Sequence, residues 1–325
     1  MIMDAQFKYN AKMLSMFGQN GAVFGSALDF YHDQYKIKVL TSDMAYGAGL
    51  SRFKQKYPDD FYDVGIAEQN LMGITAGLAS EGFKCVATAQ SCFLSMRSFE
   101  PIRQYMGYMQ IPAILIGINS GFALHYFGNS HYALEDLSLM RTIPNMTVLS
   151  PADAGEAVKS FKAALDMNSP VYIRLSGTLN NPVVYAEDFE YNYRKANKVF
   201  DQGDDVVFFA TGSMVHYSIK AAETLNNEGI GAKVIDIHCL KPIDSETILK
   251  ESAGVKVIVT AEEHFTTGGL GTAISEVMNQ NQVTGKVLNL GVQDKFCEVG
   301  DYQFLLTQNG LSSEKIVETI KQQLG

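Results

Sequence analysis

The stretch DVGIAEQNLMGITAGLASEGF, residues 63–83, decides how the rest of the chain is interpreted. It places one acid, Glu68, at the start of a predicted helix made mostly of apolar and small residues. Such a helix packs closely against its neighbours, so we expect Glu68, in its first turn, to lie where the buried interface of the helix begins. A Glu in a first helical turn also interacts favourably with the helix dipole, by about 0.3–1 kcal/mol. The pattern alone therefore allows both a capping residue and a functional acid.

Apolar runs that alternate with helical segments extend outward from this stretch in both directions. The runs interpreted as strands are 36–42, 83–89, 111–118, 146–150, 170–176, 205–211, 232–238, 256–262 and 286–292. Nearly continuous Val, Ile and Leu between helices indicates parallel strands covered on both faces. We therefore predict an α/β protein of two domains, each with a mainly parallel sheet.

A polar segment separates the two series of strands and helices. Residues 180–205 contain few apolar repeats, and we interpret them as the connection between domains. The predicted domains are residues 1–187 and, smaller, residues 188–325.

Composition excludes several classes of function. The 26 Lys and Arg against 35 Asp and Glu give a net charge of −9, which disfavours binding to nucleic acid or to an anionic membrane. No apolar run reaches the ~18 residues of a membrane-spanning helix, and the N-terminus does not resemble a signal peptide. The four cysteines, Cys85, Cys92, Cys239 and Cys297, are scattered. We predict a cytoplasmic protein with reduced, buried thiols.

GIAEQN followed by MGITAGLAS resembles the pyrimidine-binding domain of the transketolase family. Further motifs follow in the family's order: TSDMAYGAGLSRF before it, then SHYALEDLSLMRTIPNMTVLSPADAGEA and PVYIRLS. The second half, from FFATGSMVHYS through LKPID to VTAEEHFTTGGLG, resembles the family's C-terminal domain. The resemblance implies a thiamine-diphosphate-binding α/β sandwich followed by a transketolase C-terminal-like domain.

The resemblance also implies a cofactor and its ligands. Thiamine diphosphate reacts as a thiazolium ylid and electron sink, and a carboxyl group on its pyrimidine ring promotes formation of the ylid. Glu68 matches that catalytic glutamate. Phe93 matches an aromatic residue that stacks on the pyrimidine, while Asp43, with Met44 beside it, matches the lining of the cofactor pocket.

On the substrate side, His131 matches a catalytic histidine that faces the thiazolium and binds substrate hydroxyls. Arg174 matches an arginine that pairs with a substrate phosphate, as a guanidinium fork can. His125 has no counterpart in the family, and we place it with Phe127 on the substrate side.

Several positions depart from the family's pattern. Tyr126 and Phe127 stand where an acid is usual, Asn119 replaces a phosphate-binding histidine, Gly47 replaces a serine, and Gln90 replaces an aromatic residue. We therefore expect a transketolase-like enzyme with an unusual acceptor.

The family's diphosphate-binding domain has no counterpart in this sequence. Its GDG motif, followed by an Asn, is matched only superficially near Gly203, so we predict no metal ligand in this chain. The resemblance implies the C-terminal subunit of a split transketolase that acts on a sugar or sugar phosphate. A partner subunit would hold Mg²⁺ and the diphosphate, with self-association and two copies of each chain.

Three alternatives remain open from the sequence. A beta subunit of a 2-oxo-acid dehydrogenase shares the two-domain plan, and a deoxyxylulose-phosphate-synthase-like decarboxylating ligase starts from the same ylid. The third is a non-catalytic scaffold subunit, which the changes at Gln90, Asn119 and Phe127 favour and which Glu68 and His131 oppose.

Overall fold

The computed structural model describes residues 7–176, 179–283 and 285–324, and it confirms two mainly parallel α/β domains. The first sheet contains β1 (Ile37–Thr41), β2 (Phe61–Asp63), β3 (Lys84–Gln90), β4 (Ala113–Ser120), β5 (Thr147–Leu149) and β6 (Val171–Ser176). These strands are parallel, and with β10 (Cys239–Lys241) at one edge the order is β10-β5-β6-β4-β3-β1-β2. The central strands are almost fully buried because apolar residues line both of their faces.

Helices cover both faces of the first sheet. They are α1 (Ala11–Ala22), α2 (Leu28–Tyr35), α3 (Ser51–Lys56), α4 (Glu68–Ser80), α5 (Phe99–Ile102), α6 (Asp136–Thr142) and α7 (Ala154–Asp166). Short π-helical segments span Val23–Ala27, Phe93–Arg97 and Arg103–Tyr108, and 3₁₀ turns span Pro58–Asp60 and His125–Ser130. The small residues of α4 allow it to pack closely, with Leu71 and Met72 fully buried.

The second sheet contains β7 (Asn197–Asp201), β8 (Val206–Ala210), β9 (Ala232–Asp236), β11 (Val257–Phe265) and β12 (Val287–Val292). Its order is β12-β11-β8-β9-β7, and only the pairing of β7 with β9 is antiparallel. Its helices are α8 (Met214–Asn227), α9 (Ser245–Ser252), α10 (Leu270–Gln280), α11 (Tyr302–Gln308) and α12 (Ser313–Leu324).

Two strands differ from the sequence-based interpretation. β7 lies inside the segment predicted as a connection, and it is partly exposed, which explains its polar sequence. β10 follows the second domain's β9 but pairs antiparallel with β5 of the first sheet, Cys239 opposite Leu149. The second half of the chain therefore completes the first sheet, and the division at residue 187 remains a prediction.

The parallel strands of the first sheet all end at one edge. The segments that follow β1, β2, β3 and β4 carry Asp43, Glu68, Phe93 and His131, respectively. In open parallel sheets, ligands bind in the crevice at the carboxyl ends of the strands.

Within the described residues, no helix is both long and apolar enough to cross a membrane.

Candidate active site

Glu68 is the first residue of α4, and its side chain is only 3% exposed. The turn before it is fixed to the end of β1 by Ser42. The Ser42 hydroxyl donates to the Gly65 carbonyl at 2.7 Å and accepts from the Ala67 N–H at 3.0 Å. These contacts hold the carboxylate at the rim of the sheet independently of any ligand.

Asp43 lies on the same rim. Asp63 at the end of β2 accepts hydrogen bonds from the N–H groups of Asp43 and Gly65, at 3.0 and 3.1 Å. Asp43 has a φ of +54°, a left-handed conformation in which Asp is among the tolerated residues. Its side chain is exposed, so it is available to a ligand at this edge.

Arg97, which the sequence analysis did not select, is the direct partner of Glu68. Its guanidinium lies 2.8 Å from Glu68 Oε2, and its side chain is 45% exposed. Gln69 also donates to the Arg97 carbonyl at 3.2 Å, which fixes the backbone of this residue against α4. The ion pair joins residues 29 positions apart, and no local motif signals it.

A series of ring contacts begins at Arg97 and runs along the carboxyl ends of the strands. The Arg97 guanidinium lies 4.3 Å from the centre of the Phe93 ring. The His131 ring lies edge-on to Phe93 at 5.2 Å, and the Phe127 ring lies 4.8 Å from that of His131. The structure therefore brings together Glu68, Phe93, His131 and Phe127 in one continuous cluster, which we call the rim cluster together with Arg97.

Gln90 and Met44 form a second small group at the end of β3. Gln90 Nε2 lies 3.9 Å from Met44 Sδ. The other amide atom, Gln90 Oε1, is buried and has no hydrogen-bond partner among the described residues. A buried acceptor without a partner costs free energy, so an N–H donor brought to this position would be stabilised by Gln90 Oε1.

His125 is buried, 8% exposed, and its ring centre lies 3.7 Å from that of Tyr126, with the two rings tilted by 48°. Its carbonyl accepts from the Tyr132 hydroxyl at 2.9 Å, while its Nδ1 has no partner among the described residues. The assignment of His125 to the substrate side stays a prediction.

The structure corrects the expectation for Arg174. This side chain is 1% exposed and pairs with Asp136, with Nε 2.9 and 3.1 Å from the two carboxylate oxygens. Nη2 donates to the carbonyls of Ala133 at 3.1 Å and Glu263 at 2.9 Å. The contact with Glu263 reaches into the second domain. Arg174 therefore forms a buried ion pair within the first domain and a hydrogen bond to the second domain, and it is not placed to bind a phosphate.

The buried thiols agree with the sequence analysis, since all four cysteines are free and buried. Burial raises the pKa of Cys92, next to Phe93, to about 12. A thiol with that pKa stays protonated near neutral pH, so Cys92 is not an activated nucleophile.

Two family descriptions match nearly the whole chain: "Transketolase, pyrimidine binding domain" over residues 20–181, and "Transketolase, C-terminal domain" over residues 194–316. The 6-deoxy-6-sulfo-D-fructose transketolase subunit SqwH of Clostridium sp. is 35% identical over 292 residues, 89% of each chain. A solved structure described as "Split gene transketolase, inactive beta4 tetramer" superimposes with a TM-score of 0.83 at 35% identity, covering 94% of this chain and 97% of that one. The fold and these matches thus define an α/β protein of the class that binds thiamine diphosphate.

The chain belongs to the transketolase family and carries its pyrimidine-binding and C-terminal domains. A longer relative, 1-deoxy-D-xylulose-5-phosphate synthase of Caldanaerobacter subterraneus subsp. tengcongensis, is 34% identical over 94% of this chain. The chain spans 50% of the length of that relative.

Proposed function

We propose that this chain is the C-terminal subunit of a split transketolase-like enzyme. With a partner subunit, it transfers a two-carbon ketol unit from a ketose or ketose phosphate to an aldehyde acceptor. The observation that supports this most strongly is the rim cluster. A carboxylate that is 3% exposed, its arginine partner, a partly buried aromatic ring and a histidine contact one another in sequence at the carboxyl ends of parallel strands.

The residues at the rim fit the cofactor that membership of the family implies. When bound, thiamine diphosphate supplies a nucleophilic carbon and an electron sink. Glu68 would hold a proton at a pyrimidine ring nitrogen, and Phe93 would support the face of that ring. Gln90 Oε1, which has no hydrogen-bond partner among the described residues, would accept a hydrogen bond from an amino group of the cofactor beside Met44. Asp43 would line the same part of the cofactor pocket.

His131 and Phe127 would form the substrate side of the site. Ser130 Oγ lies 2.9 Å from His131 Nδ1, which leaves Nε2 as the nitrogen for a substrate hydroxyl. Phe127 is 59% exposed and stands where family members carry an acid, which supports an altered acceptor. We place His125 on this side too, and Arg97 rather than Arg174 supplies the nearby cation.

The proposed partner is a separate diphosphate-binding subunit, which would also hold Mg²⁺, with two copies of each chain. Large apolar side chains exposed near the rim support burial under other chains: Tyr46 (92%), Ile66 (75%), Tyr126 (77%) and Phe127 (59%). The similar split transketolase is described as a tetramer of one chain type, which supports self-association as well. The four free, buried thiols support a cytoplasmic location.

The test is a scan of donors with the chain reconstituted with a diphosphate-binding subunit, cofactor and Mg²⁺. Ketose or ketose phosphate donors should give ketol transfer to aldehydes, and pyruvate should not react. A decarboxylating ligase is the second candidate, supported by the 34% identity to the deoxyxylulose-phosphate synthase. Turnover with pyruvate and none with ketoses would replace the proposal by that candidate.

A further inference from the structure

Three ionisable side chains converge in the interior where the two domains meet, away from the rim cluster. Glu156 lies in the first turn of α7, Asp236 ends β9, and His238 follows two residues later. Their side chains are between 0 and 1% exposed. His238 Nδ1 lies 3.2 Å from Glu156 Oε1 and 4.0 Å from Asp236 Oδ2, and one donor atom from each residue fits within 4.8 Å of the others.

The atoms that face one another here are all electron-pair donors. His238 Nε2 lies 3.3 Å from the Asn192 carbonyl, a contact that places the ring proton on Nε2 and leaves a lone pair on Nδ1. Glu156 Oε2 already accepts from the Ala152 N–H at 2.7 Å, and Asp236 Oδ2 from the Tyr185 hydroxyl at 2.7 Å. The remaining atoms, Glu156 Oε1, Asp236 Oδ1 and His238 Nδ1, have no hydrogen-bond partner among the described residues.

Another buried histidine and carboxylate pair, His264 and Glu262, shows an arrangement in which the polar atoms have partners. His264 Nδ1 lies 3.6 Å from Glu262 Oε2, a separation similar to that of His238 and Glu156. Yet both Glu262 oxygens accept backbone N–H groups, from Leu270 and Gly271, and His264 Nε2 accepts from Ser138. Buried polar groups are normally hydrogen-bonded in this way. The atoms of Glu156, Asp236 and His238 that lack a hydrogen-bond partner therefore need a separate explanation.

Burial makes two negative charges at this point expensive. Burial raises the pKa of both Glu156 and Asp236, and the charge of Asp236 raises the pKa of Glu156 further. His238 donates through Nε2 to the Asn192 carbonyl and presents an unprotonated Nδ1 to the carboxylates, so the imidazole supplies no counter-charge. A divalent cation would balance two carboxylates and use the neutral imidazole as a ligand.

We propose that Glu156, Asp236 and His238 bind a divalent transition-metal ion, with Zn²⁺ the best fit, which clamps the two domains together. An imidazole ligand favours Zn²⁺ over Mg²⁺ or Ca²⁺, which prefer oxygen ligands. Donors about 2.0–2.2 Å from a tetrahedral ion lie roughly 3.3–3.5 Å apart, close to the 3.2 Å between His238 and Glu156. The fourth position would be taken by water. This ion is separate from the Mg²⁺ of the cofactor, and the inference does not depend on the proposed function.

The experiment uses the full chain, purified without a metal-affinity step. Elemental analysis should find one zinc per chain. Stripping with a chelator should lower the Tm by about 5 °C, and added Zn²⁺ should restore it, because an ion that binds only the folded state stabilises it. Co²⁺ added to the stripped chain should give the intense visible absorption of a four-coordinate site.

The variant His238→Gln should abolish the Co²⁺ spectrum and the response of the Tm to chelator and Zn²⁺. The matched control is His264→Gln, which alters another fully buried histidine beside a carboxylate and should lower the Tm while the zinc response remains. If His238→Gln fails to fold, the stripped wild-type chain still decides the question. A wild-type chain without stoichiometric zinc, or whose Tm ignores chelator and Zn²⁺, would overturn the proposal; the carboxyl groups would then share a proton instead.

Discussion

Glu68 combines two features: its side chain is almost completely buried, and it has a charged partner, Arg97, within hydrogen-bond distance. Burial comes from α4 and the turn fixed by Ser42, and the charge is met by Arg97, whose side chain is 45% exposed. A carboxyl group that exchanges a proton with a ligand needs both features. A fully solvated carboxyl group would interact mainly with water, and a fully enclosed one could not contact the ligand.

Replacing Glu68 by Gln keeps the shape of the side chain and removes its ability to take up and release a proton. We expect kcat for ketol transfer to fall by about 10²–10⁴-fold in the reconstituted enzyme, the usual range for acid–base groups. Assembly with the partner, measured by sedimentation, should be unchanged. Glu81→Gln, at the exposed end of the same helix, is the control and should retain activity. Full turnover in Glu68→Gln would favour the non-catalytic scaffold.

Arg97→Met tests whether the guanidinium stabilises the buried carboxylate. The variant leaves Glu68 without its ionic partner, so we expect a loss of about 1–3 kcal/mol in the free energy of unfolding by urea. The exposed Arg103, at the start of the segment that follows α5, provides the control, and Arg103→Met should change stability by less than about 0.5 kcal/mol. Equal effects of the two variants would show that the 2.8 Å ion pair contributes nothing.

Sequence reasoning could predict the parts of the site that lie in continuous motifs and could not predict the partners that folding brings to them. Glu68, Phe93 and His131 each follow a strand within a recognisable stretch, and the structure places them in one cluster. Arg97 and Arg174 owe their roles to carboxylate partners 29 and 38 positions away, respectively, which no local pattern encodes.

At the scale of elements, β6 and α6 are joined by the ion pair between Arg174 and Asp136. Both side chains are at most 1% exposed, and Tyr172 donates to the same carboxylate at 2.8 Å. Arg174→Met should therefore cost about 3–5 kcal/mol in the free energy of unfolding, since it leaves a buried charge unpaired.

The surface pair of Arg52 and Asp29 is the comparison for that variant. Arg52 is 72% exposed, so Arg52→Met should cost at most about 1 kcal/mol. A stable Arg174→Met variant whose only defect is a raised KM for a phosphorylated substrate would restore the role first expected from the sequence.

Helix α8 carries a histidine whose burial makes the fold sensitive to acid. Burial, followed by the charge of Lys220, lowers the pKa of His216 from 6.5 to about 4. The unfolded chain therefore binds a proton at a pH where the folded chain does not, so stability is present above pH 6.5 and is lost as the pH falls toward 4.

His216→Gln removes this titrating group. Between pH 6.5 and 4.5, the variant should lose about 1–2 kcal/mol less than the wild-type chain in urea unfolding, allowing for partial exposure of the ring. Identical pH dependence of the two chains would show that His216 titrates normally in the folded state.

At the scale of the whole molecule, the two α/β domains are more interdependent than the sequence indicated. The alternation of apolar runs and helices predicts both sheets because that pattern is local. It cannot predict that β10 crosses to the first sheet, since a three-residue strand has no period of its own. Nor could it reveal that Glu156 and His238, in different halves of the chain, meet in the interior.

The rim cluster lies at the carboxyl ends of the strands of the first sheet and is surrounded by exposed apolar side chains. This arrangement is consistent with a site that another chain completes, as proposed for the diphosphate-binding subunit. The chain alone would contribute the groups that contact the pyrimidine ring and the substrate, and the partner would contribute those that hold the diphosphate.

The most direct test is ketol transfer measured with this chain alone, with a diphosphate-binding subunit alone, and with both, each with thiamine diphosphate and Mg²⁺. We predict turnover only when both chains are present, and its loss when the Glu68→Gln chain replaces the wild type. Turnover by this chain alone at the rate of the mixture would contradict the proposal that it is one half of a split enzyme.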